Sequence, residues 1–438
     1  MPRLTKLHIV TFGCQMSAAD AEELARPLRA RGLTTVGSPR EADAIIVNTC
    51  TVRQHAEDRA VSYIGRLRPW KAERPEGLLI VAGCAAERVG AYIRRKFPYV
   101  DLVVGARSTE DYPRIVEEAL KRRYDWREEN HNAWPRGRSS GASVPQAAVE
   151  RPPISAYLTI MRGCDYSCSY CIVPSVRGRE LHRPFDTVLA EAGRLAAAGA
   201  RELTLLGQTV NGWRSQGRDF ADLLRAVAAV DGVERVRFMS PHPHHLSPRL
   251  IGAMAGTRGI CPYLHLPVQS GSDRVLRSMR RNYSSEEFLD RVGALREAVA
   301  GIEITTDFLV GFPGESERDF EATVELAERL DAAAAYCFKF SARKGTDAAS
   351  FEGQVPEEVI VRRHRRLLDL CEERRRAHLQ AQVGRRVEVL LEDERHGHTE
   401  HFFSARLDKP GKPGTLVRAT VVATAQAGVS ARTDPDSA

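Results

Sequence analysis

Three times before residue 90, a short apolar run ends on a cysteine and gives way to a helical pattern. LHIVTFGC ends at Cys14 and leads into AADAEELARPLRA. AIIVNTC ends at Cys50 and precedes the polar run VRQHAEDRAVSYIGRL, and LLIVAGC ends at Cys84 and precedes AAERVGAYIRRKF. Strand, helix and strand again is the pattern of a parallel sheet, whose neighbouring strands need a long crossover to connect. Ligands of such sheets bind at the carboxyl ends of the strands. Three cysteines 36 and 34 residues apart are therefore placed to meet. The alternative is three small cysteines packed at strand ends. Their repetition at one point of the unit, twice within a Gly-Cys dipeptide, favours a shared site. DLVVG at 101–105 reads as a fourth strand.

The remaining chain divides by pattern. Residues 1–130 make an N-terminal α/β domain. Residues 131–153 are rich in Pro, Gly and Ser without apolar periodicity, and read as a linker. Residues 154–375 alternate again, with AYLTIMRG, ELTLLGQ, RVRFMS, YLHLPVQ, EITTDFLVGF and YCFKFSAR as strands between helical runs. Six βα units fit a partial parallel barrel, whose working groups would sit at the C-terminal strand ends. The segment closes on the long basic helix EEVIVRRHRRLLDLCEERRRAHLQAQ. Residues 376–438, with RRVEVLLEDE, HFFSARLD and TLVRATVVATAQ, read as a small antiparallel β domain, and VSARTDPDSA as a frayed tail. The expected class is α/β.

Nine cysteines in 438 residues are too few for a disulfide scaffold, and the number is odd. A reducing compartment and metal or reactive roles fit better. No apolar run approaches the roughly 18 residues of a membrane span. MPRLTKLHIVTFGCQM has too short an apolar stretch for a secretory signal, so cytoplasmic residence and no membrane partner are expected. The net charge of +7 permits an anionic partner without identifying one.

GCDYSCSYC packs three more thiols, Cys164, Cys168 and Cys171, into eight residues. Close thiolates favour zinc or iron–sulfur clusters. Zinc fingers carry a second paired motif, and none is present. A [4Fe–4S] cluster takes one ligand per iron, so three thiolates leave one iron open to a guest. A redox pair with a bystander cysteine is the alternative.

The triplet spacing matches the radical S-adenosylmethionine (SAM) enzymes. TFGCQMS, VNTC, AGC, MRGCDYSCSYCIVPSVRGRE, LLGQTVNGW, HLPVQSGSD and TDFLVGFPGE resemble, in order, the motifs of the tRNA methylthiotransferases of the MiaB type. The resemblance implies a radical SAM domain of partial (βα)6 barrel form and a C-terminal TRAM-like RNA-binding module. It implies two [4Fe–4S] clusters, an auxiliary one on Cys14, Cys50 and Cys84 and a SAM-binding one on Cys164, Cys168 and Cys171. It implies SAM as cofactor, contacted by Tyr170, Gly207, Gln208, Leu309 and Gly311. The implied reaction adds a methylthio group to C2 of N6-isopentenyladenosine at position 37 of tRNA. An electron donor such as flavodoxin or ferredoxin and a monomeric enzyme complete the expectation. That C–H is too inert for a positioned acid or base, so the cofactor must supply the radical chemistry, and no catalytic side chain is nominated. Relatives act on threonylcarbamoyl-adenosine in tRNA or on a ribosomal protein aspartate. A non-catalytic RNA-binding iron–sulfur electron carrier is the reading from another class.

Other features carry blander readings. LGQ stands where the superfamily often has a carboxylate for the SAM amine, which leaves backbone carbonyls or Gln208. Pro267, Gln269 and Ser270 could line the barrel mouth or form a turn. Gly314 could be a turn glycine and Glu315 a helix-start acid. His242, His244 and His245 read as an irregular strand-end loop rather than a metal site. Cys261, Cys337 and Cys371 read as core. The arginines from Arg362 to Arg376 could meet RNA phosphate or pair with local acids, and Phe402 or Phe403 could stack on bases or pack inward.

Overall fold

The computed structural model describes residues 4–52, 54–109, 111–124, 154–425 and 428–435. The expected linker, 131–153, lies outside the described residues. The chain forms two compact units, and the first comprises Met1–Glu150, Gly163–Asp165 and Cys171–Glu180.

In the first unit β1 (Lys6–Thr11), β2 (Thr34–Thr35), β3 (Ala44–Thr49), β4 (Leu78–Gly83) and β5 (Leu102–Gly105) form a parallel sheet in the order β2-β1-β3-β4-β5. Its helices are α1 (Gln15–Arg29), α2 (Gln54–Arg66), α3 (Arg68–Glu73), α4 (Cys84–Lys96), α5 (Tyr112–Tyr124) and the short α6 (Val173–Arg177). Every residue of β3 and β4 is buried, which is why both read as unbroken apolar runs. Successive side chains point to opposite faces. Ile46 and Ile80 pack with Leu24, Leu28, Val116 and Leu120 of α1 and α5, whereas Ile45 and Val81 pack with Ile64, Trp70 and Ile93 of α2 to α4. Each such side chain contributes about 1.5–3 kcal/mol by its burial. Strand β2 is too short and polar to leave a sequence pattern. The register sets Thr11 beside Asn48 and Thr49 beside Gly83, so the ends of β1, β3 and β4 are neighbours.

The second unit comprises Arg151–Arg162, Tyr166–Tyr170 and Leu181–Ala438. Its strands are β6 (Ser155–Thr159), β7 (Met161–Arg162), β8 (Leu181–His182), β9 (Glu202–Leu206), the hairpin β10–β11 (Arg214–Ser215 and Arg218–Asp219), β12 (Arg235–Phe238), β13 (Tyr263–His265), β14 (Glu303–Val310) and β15 (Ala334–Lys339). Strands β6, β9 and β12 are parallel neighbours, as are β13, β14 and β15. A parallel bridge between Val236 and Ile260 links the two sets. All six expected strands are present, in chain order. Among the described residues no pairing joins β6 to β15, so the parallel array is open. Helices α7 (Phe185–Ala197), α8 (Phe220–Ala228), α9 (Pro248–Gly256), α10 (Asp273–Ser278), α11 (Ser285–Ala298) and α12 (Glu317–Leu330) lie on its crossovers. Ile304, Phe308 and Val310 of β14 face this helical layer, with Phe288, Leu295 and Phe320. Thr305, Asp307 and Leu309 point the other way. Capping boxes start α11 at Ser284 and α12 at Ser316, as the stretches SSEE and GESERD favour.

The basic helix α13 (Glu357–Ala381) leads into a closed five-stranded barrel of β16 (Arg386–Leu391), β17 (His396–Thr399), β18 (Ser404–Leu407), β19 (Leu416–Ala425) and β20 (Gly428–Thr433). Its pairings are antiparallel except β18 with β20, which closes the barrel. Two sequence expectations are corrected here. The expected frayed tail supplies β20, whose Val429 and Ala431 are core residues; two small apolar residues are too faint an alternation to read alone. HGHT, unassigned from sequence, is β17. Two buried arginines of β12 hold this barrel to the parallel sheet. Arg235 Nη1 donates to His398 O at 2.8 Å, and Arg237 Nη2 donates to Thr399 O at 2.8 Å while its Nε binds Glu202 at 2.9 Å.

Candidate active site

The first three cysteines stand at the ends of neighbouring strands. Cys14 precedes α1, Cys50 follows β3, and Cys84 opens α4. The neighbouring Cys50 thiol pulls Cys14 down to about 5, and the Cys14 thiol together with burial pushes Cys50 up. Burial pushes the Cys84 thiol up. Gly13 makes the approach possible, because a Cβ there would lie 2.7 Å from the Cys50 Cβ. The surrounding polar groups fix the strand ends. Thr49 Oγ1 donates to Ala82 O at 2.6 Å and accepts from Ala86 N at 3.1 Å, tying β3 to the start of α4. Arg88 Nε donates to Thr51 at 2.9 Å and to Glu57 at 3.1 Å, holding the turn after Cys50. Asn48 Nδ2 donates to Ser17 O at 2.5 Å, while its Oδ1 is buried without a hydrogen-bond partner.

The triplet lies on the excursion between β7 and β8. Cys164 and Cys171 belong to the first unit and Cys168 to the second. In the first unit Cys164 N donates to Gly178 O at 3.1 Å, and Ile172 and Val176 pack with Cys84 and Ala106. Arg177 ends α6 almost fully buried. Its Nη2 donates to Asp20 Oδ2 at 2.6 Å and its Nε to Cys84 Sγ at 3.2 Å. Burial opposes that charge, but Asp20 and Cys84 hold the Arg177 pKa above its ordinary value. Nothing in the sequence marks Arg177, because its partners are remote.

In the second unit Arg281 Nη1 points at Cys168 Sγ from 3.7 Å, and its Nη2 donates to Pro267 O at 3.0 Å. Tyr170 and Leu309 share an apolar cluster with Val275, Met279, Phe312 and Phe351. Gly207 follows β9, where any side chain would collide with Met161. The neighbouring Gln208 Oε1 is buried with no hydrogen-bond partner, an acceptor suited to an ammonium group. Gly311 N donates to Glu315 Oε2 at 2.9 Å, and Arg363 Nη1 binds the same oxygen at 3.0 Å. Glu315 thus pins the Gly311 turn, while Ser316 caps α12. Tyr170, Leu309, Gln208 and Gly311 therefore all lie in the second unit, two of them in one cluster.

Cysteine thiolates are the usual ligands of iron–sulfur clusters. Among the described residues no three His, Cys, Asp or Glu side chains surround a single point as ligands of one ion. Thiolates that each take a different iron of a cubane need no such convergence.

Comparison with known proteins decides the family. Residues 158–327 match the Radical SAM superfamily, and residues 6–105 match Uncharacterized protein family UPF0004. A tRNA-2-methylthio-N(6)-dimethylallyladenosine synthase of Cereibacter sphaeroides is 41% identical over 436 residues, 97% of this chain and 98% of that relative. One of the same name from Anaeromyxobacter dehalogenans is 44% identical over 398 residues, 88% of this chain and 83% of its own.

This chain belongs to the tRNA-2-methylthio-N(6)-dimethylallyladenosine synthase family.

Its radical SAM fold is shared with the radical S-adenosylmethionine methyltransferase TsrM from Kitasatospora setae, solved with cobalamin and a [4Fe–4S] cluster, at a TM-score of 0.57 over 79% of this chain and 77% of that one, with 16% identity.

Within this family member, the remaining motifs have structural explanations. His242 stacks on Tyr166 with ring centroids 4.0 Å apart, and Tyr166 Oη meets His245 Nε2 at 3.0 Å. The three histidine rings meet edge-on rather than facing a common point. His242 Nδ1 accepts from His244 N at 3.2 Å, which leaves the proton of the neutral ring on Nε2, buried without an acceptor. Burial, helped by the charge of Arg281, pulls His242 down to about 2, so the ring stays neutral. Asn211 exchanges two hydrogen bonds with the His242 backbone, at 2.8 and 3.0 Å, a link the sequence did not signal. Pro267, Gln269 and Ser270 belong to a structural segment: Gln269 pairs with β14, and Ser270 Oγ meets Thr323 Oγ1 at 3.2 Å. Cys261 is core, and Cys337 and Cys371 lie against each other with sulfurs 3.8 Å apart. Much of the basic helix is ion-paired. Arg363 binds Glu315 and Glu317, Arg366 binds Glu321, and Arg365 binds Asp369 at 3.1 Å. Phe402 packs against Tyr263 and His398 under the guanidinium of Arg237.

Proposed function

We propose that this protein adds a methylthio group to C2 of N6-isopentenyladenosine at position 37 of tRNA, using SAM and two [4Fe–4S] clusters. The observation that carries the reading is the set of three thiols at adjacent strand ends in the first unit, in a chain whose SAM-type triplet is separate. Cys14, Cys50 and Cys84 hold the auxiliary cluster, and Cys164, Cys168 and Cys171 hold the other. Each trio leaves one iron for a ligand from outside the protein. The bound cofactors supply the radical chemistry that an inert aromatic C–H requires.

The chain's own residues bind and orient. Gln208 Oε1 accepts from the SAM amine, and Gly207 keeps that strand end narrow. Tyr170 and Leu309 give the adenine an apolar seat, beside the Gly311 turn that Glu315 holds. Residues 1–130 carry the auxiliary cluster, 154–375 the SAM chemistry and 376–438 the TRAM-like grip on tRNA. Strand-end hydroxyls such as Thr49 and Thr51 are committed to the scaffold and need not take part in the reaction. A small electron-transfer protein such as flavodoxin or ferredoxin delivers electrons to a cytoplasmic monomer.

The test is mass spectrometry of tRNA nucleosides from a deletion strain and a complemented one. Loss of the methylthio group from isopentenyladenosine alone, restored by the gene, supports the reading. Loss from the threonylcarbamoyl nucleoside reassigns the substrate, and no change in either nucleoside favours a non-catalytic carrier.

A further inference from the structure

We infer that Arg177 is a positioning residue for the auxiliary cluster: held by Asp20, it donates a charged hydrogen bond to the sulfur of Cys84 and raises the cluster's reduction potential. The inference rests on the reading of Cys84 as a ligand of that cluster.

The geometry is specific. Arg177 Nη2 lies 2.6 Å from Asp20 Oδ2, and Nε lies 3.2 Å from Cys84 Sγ. Both charged side chains are about 5% exposed, at 6% for Arg177 and 5% for Asp20. A guanidinium is planar, so anchoring one edge on a carboxylate fixes the direction in which Nε donates. Asp20 sits on α1, one turn and a half beyond Cys14, and Cys84 opens α4. Arg177 itself ends α6, six residues after Cys171. One side chain thus links the chain following the SAM-type triplet to the first unit's thiol trio.

A buried cation paired with a carboxylate is costly to desolvate and is a weak source of stability. Its second bond, to a thiol, is what the pairing alone does not explain. Hydrogen bonds to ligand sulfurs are among the protein's main controls on cluster potential. Reduction adds negative charge, and a cationic donor at the sulfur favours the reduced state. No further reactant is needed, since the residue changes only the equilibrium of an electron transfer the cluster already makes.

The test is an EPR-monitored potentiometric titration of the full chain, reconstituted without oxygen in a Cys164→Ala, Cys168→Ala, Cys171→Ala background that isolates the auxiliary cluster. Arg177→Met combined with Asp20→Asn removes donor and charges together, so no lone buried charge remains. The reduced-to-oxidised ratio at a fixed potential is expected to fall about tenfold, a drop of about 59 mV for one electron. Arg177→Lys keeps the charge but loses the Nε donor that Asp20 aims, and is expected to lower the ratio by a smaller factor, about threefold, about 28 mV on the same scale. If the double variant loses its iron, the Lys variant decides alone: an unchanged potential there overturns the inference. An unchanged potential in an iron-loaded double variant overturns it too. A parent background that binds no iron overturns the ligand assignment first, and this inference with it.

Discussion

Cysteine positions were legible at the level of single residues because few chemistries use thiols at fixed points in a repeating unit. The polar residues that hold those thiols were not. Arg177 and Asp20 are 157 residues apart, and Arg88 reaches Glu57 across 31. No local pattern reports contacts of that kind. Glu315 shows the same limit, since a carboxylate four residues past a turn glycine looks like a helix-start acid until Gly311 N and Arg363 are seen on it. Two predictions belong here. Gly207→Val would drive a side chain into Met161 and displace Gln208; SAM binding measured by calorimetry is expected to weaken at least tenfold, about 1.4 kcal/mol. Gln208→Leu removes the buried acceptor while keeping the volume. It is expected to raise the SAM dissociation constant about tenfold with the iron content unchanged.

Elements were legible where burial is complete on both faces or where alternation is long. Strands β3, β4 and β14 are of that kind, and each was expected. Strands β2, β17 and β20 were not, because two to six small or polar residues carry too little pattern, and closing a barrel depends on partners far along the chain. The join between α13 and β14 also came only from the structure. His378 Nδ1 meets Glu303 at 3.0 Å and Nε2 meets Asp331 at 3.5 Å. The hydrogen bond to Glu303 is the main cause that raises the His378 pKa above its ordinary value. Because the folded value is raised, the stabilisation is fully present below the unfolded histidine's pKa, near 6.5, and is lost as pH rises through the folded value. His378→Gln is therefore expected to destabilise the protein more at pH 6 than at pH 9, read as the difference in denaturation midpoint from the parent. An equal loss at both pH values would assign His378 a packing role alone.

At the scale of the whole molecule, the sequence pattern conveyed the α/β class, the six parallel strands and a small terminal β domain, since each follows from hydrophobic periodicity and connection length, but not that this domain closes into a barrel. The substrate's identity is not written in that periodicity; it comes from motif resemblance and from relatives that match this chain over nearly its whole length. What remains physical and local is the claim that two thiol trios each carry a cluster. The measurement that tests this most directly is the iron and acid-labile sulfide content of the full chain reconstituted without oxygen, beside a variant with Cys14, Cys50 and Cys84 replaced by alanine. Two cubanes predict about eight irons in the parent and about four in the variant. About four in both, or about eight in both, would contradict the account.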